Sequence, residues 1–104
     1  MKTLSSYIAG SWSEGTGDGS SLFNPVTEEI VARTSTEGIA ISDAFEAART
    51  TGLQTLQAMT FRERGALLES MSKCIHEARE TLIDLGRING GNTRGDAKFD
   101  IDGA

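Results

Sequence analysis

Cysteine, proline and histidine each occur once in this 104-residue chain. The lone Cys74 excludes an internal disulfide. With His76 as the sole imidazole, it cannot complete a metal site without ligands from elsewhere. Aromatic residues make up 6% and hydrophobic residues 38% of the chain, so few large side chains are on hand to fill a core. No apolar run approaches the roughly 20 residues that cross a bilayer. Met1 to Tyr7 lacks the apolar centre of a secretion signal. The formal net charge of −5 argues against a nucleic acid or an anionic membrane as partner. Together these features point to a reducing, cytoplasmic setting. The length allows one small domain or a piece of a larger one.

What is present divides the chain into three stretches. Residues 1–36 read as a β arm with turns. Tyr7-Ile8-Ala9-Gly10-Ser11-Trp12 gives two short extended arms around Gly10. Glu14 to Ser21, rich in glycine and serine, is a loop. Asn24-Pro25 opens a turn, because Pro25 fixes its own φ and pushes Asn24 out of the helical region. Glu29 to Ser35 follows as the longest strand candidate. This antiparallel β arm is too short to be stable alone.

Residues 37–91 read as a long antiparallel two-helix hairpin. The first helix takes Ser42 as N-cap, with Asp43 in its first turn. Ile41, Phe45, Ala48, Gly52, Leu56 and Met59 share one side of it. Arg49-Thr50-Thr51-Gly52 has poor helix propensity and predicts a loosened turn. The second helix opens on Thr60-Phe61-Arg62-Glu63, a capping box. Leu67, Leu68, Met71, Ile75, Ala78, Leu82 and Leu85 form its apolar stripe. Glu69 and Lys73 pair across one turn, and Asn89-Gly90-Gly91 stops the helix. Residues 92–104 read as a polar tail leading toward a further helix, with Asp102 as its N-cap.

No motif assembles a nucleophile, a base and an oxyanion site. Gly15-Thr16-Gly17-Asp18-Gly19 has neither the spacing nor the following helix of a phosphate cradle, and reads as a flexible loop. Cys74 lies at the margin of the apolar stripe and reads as a buried structural thiol. His76, two residues on, faces another side and reads as solvated. Arg94-Gly95-Asp96 carries no integrin-type role in a chain without a secretion signal. Asp100-Ile101-Asp102-Gly103 lacks the later ligands of a calcium loop. The chain's own residues therefore supply no catalytic, cofactor-binding or metal-binding set.

Taken in order, several of these segments resemble the aldehyde dehydrogenase superfamily. Tyr7 to Trp12 is similar to the family's Y-I-N-G-x-W opening. Asn24, Pro25, Thr27, Glu29, Ile30 and Ala32 match N-P-A-T-G-E-x-I-A, with Glu28 in place of the usual glycine. Ser42 to Arg49 resembles the first family helix, and Thr60 to Leu68 resembles the capped T-x-x-E-R-x-x-x-L helix. Gly90-Gly91-Asn92-Thr93-Arg94-Gly95-Asp96 and Lys98 to Gly103 resemble the branch acting on CoA-linked semialdehydes from aromatic ring cleavage, in phenylacetate and benzoyl-CoA degradation. Ala104 stands where a second glycine is usual.

The resemblance implies an α+β fragment of an α/β cofactor domain, inactive by itself. It implies a parent enzyme with a cysteine nucleophile, hydride transfer to NAD or NADP and a glutamate-activated water. None of those residues maps onto this chain, and Cys74 is not the nucleophile. The expected partners are the remainder of the parent enzyme and, for the chain alone, a second copy of itself. The rival reading is a stand-alone helical-hairpin interaction module.

Overall fold

The computed structural model describes residues 2–104. Strands come first and helices after them, in an α+β arrangement. Strands β1 (Ser5–Ile8) and β2 (Ser11–Glu14) pair antiparallel, with Tyr7 opposite Trp12. Ala9 and Gly10 join them, both at positive φ, as a two-residue hairpin loop requires. The Tyr7 and Trp12 rings meet edge to face at 5.2 Å, and both remain exposed.

Strands β3 (Ser20–Phe23) and β4 (Ile30–Thr34) form the second antiparallel pair, with a register shift between Leu22 and Phe23. Asn24 organises their connection. Its Oδ1 accepts from the amides of Val26 and Thr27, while its own amide donates to the Glu29 carbonyl. Glu28 takes a φ of +62°, where a side chain is strained. A parallel bridge between Thr3 and Arg33 ties the start of the chain to β4.

The helices make four bodies. Helix α1 (Ile41–Ala47), a π turn over Ala48–Gly52 and α2 (Leu53–Ala58) run on as one segment. The π turn sits where weak helix formers predicted loosening. The segment begins at Ile41 with Ala40 as cap and no side-chain bond, which corrects the expected Ser42 cap by two residues. Helix α3 (Phe61–Glu77) has the full capping box. The Glu63 amide donates to Thr60 Oγ1 at 3.2 Å, and the Thr60 amide donates to Glu63 Oε2 at 2.7 Å. The Thr60 amide first, and then the Thr60 hydroxyl, which donates to Glu63 Oε2 at 2.8 Å, hold the Glu63 carboxyl below its usual value.

Two expectations need correcting. The second helix does not run unbroken from Phe61 to Asn89. Ala78 leaves helical geometry, with φ −87° and ψ 4°, and helix α4 (Arg79–Gly90) starts anew. The faces of α4 therefore do not continue the stripe of α3. Ile83 is wholly buried, Leu82 only half-buried and Leu85 exposed. Residues 92–104 are also not a bare polar tail. Arg94–Asp102 forms helix α5, capped by Thr93, whose Oγ1 accepts from the Asp96 amide. Asp102 closes that helix instead of opening another.

The antiparallel hairpin expected of residues 37–91 is absent. Helix α3 does not pack along α1 or α2; the helices that pack closely are α4 and α5. Their contact is between small residues. A Cβ built on Gly86 would stand 3.4 Å from the Ala97 Cβ, and Ala97 is buried. Ala32, Ile83 and Ala97 are the only buried hydrophobic residues among those described.

The chain spans 48 × 36 × 14 Å, with a radius of gyration of 17.1 Å. A compact domain of about 100 residues has a radius near 13 Å. The thin dimension is little more than one helix diameter of about 10–12 Å. Domains close their core between two layers, and this chain supplies one. Its accessible surface is 7986 Å², against about 5,700 Å² for a folded monomer of this mass. Large apolar side chains contribute to that surface, among them Phe61, Phe99, Trp12 and Phe45.

Candidate functional site

The densest polar constellation joins α4 to α5. The Arg79 guanidinium donates twice to Asp102, from Nε to Oδ1 at 2.5 Å and from Nη2 to Oδ2 at 2.9 Å. Arg79 Nη1 also reaches Glu80 at 2.6 Å. Glu80 in turn accepts from Arg94 Nη2 at 2.6 Å, and Asp84 stands 3.7 Å from Arg87 and 3.9 Å from Arg94. The two helices are thus cross-tied by two arginines, one from each.

The charges move as that geometry requires. The hydrogen bond from Arg79 holds the Asp102 carboxyl below its ordinary value, and the bond from Arg94 does the same to Glu80. The two guanidiniums are held more firmly protonated in return, Arg79 chiefly by Asp102 and Arg94 chiefly by Glu80. A general acid or base works best with a pKa near the operating pH. These carboxylates are driven the other way, so the network suits a tie between helices and not proton transfer. A carboxylate at a helix C-terminus also opposes the helix dipole, which Arg79 offsets at Asp102.

Two open grooves flank the network. One of about 410 Å³ lies beside Ser72, His76, Arg79, Lys98 and Asp102. The other, about 460 Å³, lies between the Asn24 turn and the end of α4, beside Thr27, Arg87 and Asn92. Here the two turn motifs of the sequence meet. Gly91 takes a φ of +67°, and a Cβ on it would stand 2.7 Å from Pro25 Cγ. Glycine is required there on both counts.

The sequence candidates fall elsewhere. Gly15 to Gly19 is a tied connection rather than a free loop. The Thr16 amide donates to the Glu37 carbonyl at 2.9 Å, and Ser35 Oγ donates to the Thr16 carbonyl at 2.5 Å. A Cβ on Gly15 or Gly19 would run into the carbonyl oxygens of Ser35 or Thr34, so these glycines serve close backbone approach. Cys74 is exposed, which corrects the expectation of a buried thiol: no element covers that side of α3. His76 is exposed and lines the first groove.

Arg94 and Asp96 are held in the first turn of α5, Arg94 on Glu80 and Asp96 on the Thr93 hydroxyl. Asp100 and Asp102 are helical, and no group of three His, Cys, Asp or Glu able to hold a metal occurs among the described residues. Sequence reasoning missed the Arg79–Asp102 and Arg94–Glu80 ties. Thr93-Arg94-Gly95-Asp96 did carry a signal, since a threonine three residues before an acidic one is a cap pattern.

No helix among the described residues is long and apolar enough to cross a membrane. The family model for the aldehyde dehydrogenase family matches residues 12–104. The chain is 43% identical over 101 residues to the 3,4-dehydroadipyl-CoA semialdehyde dehydrogenase of Aromatoleum evansii, covering 97% of this chain and 20% of that protein. It is 30% identical over 98 residues to the NADP(+) succinate-semialdehyde dehydrogenase of Saccharomyces cerevisiae, covering 93% of this chain and 20% of that one. The structure of an NAD-dependent benzaldehyde dehydrogenase from Corynebacterium glutamicum matches with a TM-score of 0.80 and 29% identity, over 91% of this chain and 21% of that chain. The chain thus spans about a fifth of the length of the curated relatives it matches.

Proposed function

This chain belongs to the aldehyde dehydrogenase family, and from that premise we propose that it is a structural portion of an NAD(P)-dependent dehydrogenase acting on a CoA-linked semialdehyde in aromatic-compound degradation. The observation that carries this reading is the 43% identity to a 3,4-dehydroadipyl-CoA semialdehyde dehydrogenase across 97% of the chain. The single-layer shape supports it, since an uncovered apolar surface calls for a second layer. In this reading the nucleophile and the nicotinamide site belong to the remainder of the enzyme, and this portion supplies scaffold. On its own the chain is then inactive. It self-associates through unpaired strand edges and bare apolar faces, which sedimentation equilibrium at micromolar concentration measures. The rival interaction module relies on a hairpin of residues 37–91, and α3 does not pack closely on α1 or α2 to support one.

The test is a chimera in which residues 1–104 replace the matching fifth of the Aromatoleum evansii relative. Retained NAD(P)H formation from 3,4-dehydroadipyl-CoA semialdehyde is the expected result. A folded chimera with no turnover overturns the reading. So does NAD(P)H formation by the isolated chain that Cys74→Ala abolishes.

A further inference from the structure

The groove beside Arg79 gathers side chains that lie far apart in sequence. Ser72 and His76 stand one turn apart on α3, Arg79 opens α4, and Lys98 and Asp102 stand one turn apart on α5. All five line the same hollow of about 410 Å³. Arg79 and Asp102 cancel each other's charge through two hydrogen bonds, which reach both carboxylate oxygens. The Glu80 charge is answered by Arg94. Lys98 makes no ion pair among the described residues, so its charge is left over. Lys98 and His76 are close enough to add, after Arg79, to the pull that keeps the Asp102 carboxyl low. A guanidinium has five N–H donors. Three of those on Arg79 are used, toward Asp102 and Glu80, and the others remain. In a chain with a net charge of −5, this hollow holds a surplus of positive charge and of unspent donors. The tie between α4 and α5 uses neither Lys98, His76 nor Ser72.

We propose that this groove receives the ribose 3′-phosphate of the CoA-linked substrate, with Lys98 and Arg79 as its charge partners and the His76 imidazole and Ser72 hydroxyl as further donors. This rests on the reading of the chain as part of a dehydrogenase acting on a CoA-linked semialdehyde; the portion then helps to hold the substrate as well as serving as scaffold. A phosphomonoester is close to a dianion at neutral pH and has three strong acceptor oxygens. Arginine meets such a group with paired N–H donors, and lysine meets it as a point charge. The groove offers one of each, from α4 and from α5. The 2′-phosphate of NADP has the same chemistry. The substrate is the favoured source because Lys98 falls in the stretch, Lys98 to Gly103, where this chain resembles the branch acting on CoA-linked semialdehydes. The nicotinamide site, in the same reading, belongs to the remainder of the enzyme. The aldehyde and the nucleotide also lie at opposite ends of such a substrate, so an open groove apart from the reacting carbon suits the nucleotide end.

The measurement is a titration of the isotope-labelled chain with free CoA, read at the amide resonances of His76 and Lys98. Saturable shifts are expected, with binding roughly tenfold weaker for dephospho-CoA, which lacks only the 3′-phosphate. Lys98→Ala should weaken CoA binding roughly tenfold, the size of one hydrogen bond to a charged group, and narrow the preference over dephospho-CoA. Arg62→Ala, on the exposed first turn of α3, should leave CoA binding unchanged. Absence of saturable shifts, or equal binding of CoA and dephospho-CoA, overturns the proposal. So does inorganic phosphate binding as tightly as CoA, which marks an adventitious ion only. A preference for NADP over NAD without one for CoA over dephospho-CoA assigns the groove to the cofactor and overturns the substrate as its source. In the chimera, Lys98→Ala should raise KM for 3,4-dehydroadipyl-CoA semialdehyde roughly tenfold at unchanged kcat, as loss of uniform binding does. An active chimera whose KM does not move overturns the proposal. A folded but inactive chimera instead counts against the proposed function, and the CoA titration still decides the groove. Should the isolated chain not stay folded, the same titrations are read on the folded chimera by calorimetry.

Discussion

Helices α3 and α4 follow one another across a single residue, and both carry apolar side chains at helical spacing. Their fates differ. On α4, Ile83 is 0% exposed; on α3, no residue is buried. The cause is the company each keeps. Helix α5 lies on α4, with Ala97 against Gly86, and the arginine–carboxylate ties hold it there. Nothing lies on α3. A periodic stripe therefore states which face a helix can bury, and a neighbour decides whether it does. The glycine–alanine contact also shows that a neighbour can be recruited without large hydrophobic residues, since small side chains let two backbones approach closely.

The largest test of this contrast is truncation. Ile83→Ala should cost about 2–5 kcal/mol, as removal of a buried branched side chain does. Leu68→Ala on α3 should stay within about 0.5 kcal/mol, as exposed changes do. Denaturant midpoints of the two variants measure the gap, and equal shifts would break the comparison. In the chimera the same pair sharpens it: once α3 is covered, Leu68→Ala should become costly too.

A smaller effect, of opposite sign on the two helices, is expected from one kind of substitution. Gly65 on α3 has open space around it, so Gly65→Ala should stabilise by up to about 1 kcal/mol through helix propensity. Gly91, at the end of α4, has a positive φ and Pro25 against it. Gly91→Ala should destabilise by about 1–2 kcal/mol from the left-handed backbone alone, and by more from the clash. Thermal midpoints that move in the same direction for both would show that the ends of α3 and α4 are not differently constrained.

The smallest expected effect is the response of α5 to acid. Asp102 and Glu80 are held below their ordinary values of 3.8 and 4.5. Each contributes stability above its ordinary value and loses it as pH falls through its lowered one. The Ala97 methyl resonance should shift over that window. Asp102→Asn should flatten much of the shift while leaving the Gly65 amide on α3 unchanged. A Gly65 response equal to that of Ala97 would mean that the ties act on the whole chain and not on α5.

The elements legible in the sequence were those settled within a few residues. Thr60 and Glu63 find each other across one turn, Glu69 meets Lys73 at 2.9 Å, and Ala9-Gly10 turns a hairpin. The weak helix formers at 49–52 became a π turn. Two corrections are local, the cap at Ala40 and the break at Ala78, and the others concern what lies against what. Cys74 was expected to be buried because it borders a stripe, and the stripe has no cover. Residues 92–104 read as a polar tail in sequence because Ala97, which buries, is small, while Phe99, which is large, stays in solvent. Leu82 and Leu85 were placed in line with Met71 and Ile75 because a periodic pattern does not register the pause at Ala78.

The sequence by itself determined the family, the Thr60–Glu63 capping box and the Ala9-Gly10 and Asn24-Pro25 turns, because each of these rests on residue identity at fixed local spacing. Only the tertiary structure decided that Ile83 of α4 and Ala97 of α5 are buried while no residue of α3 is. Those outcomes depend on which surfaces meet. Among the helices, burial goes to the pair whose small residues allow close approach, because a face is buried only where a second surface meets it.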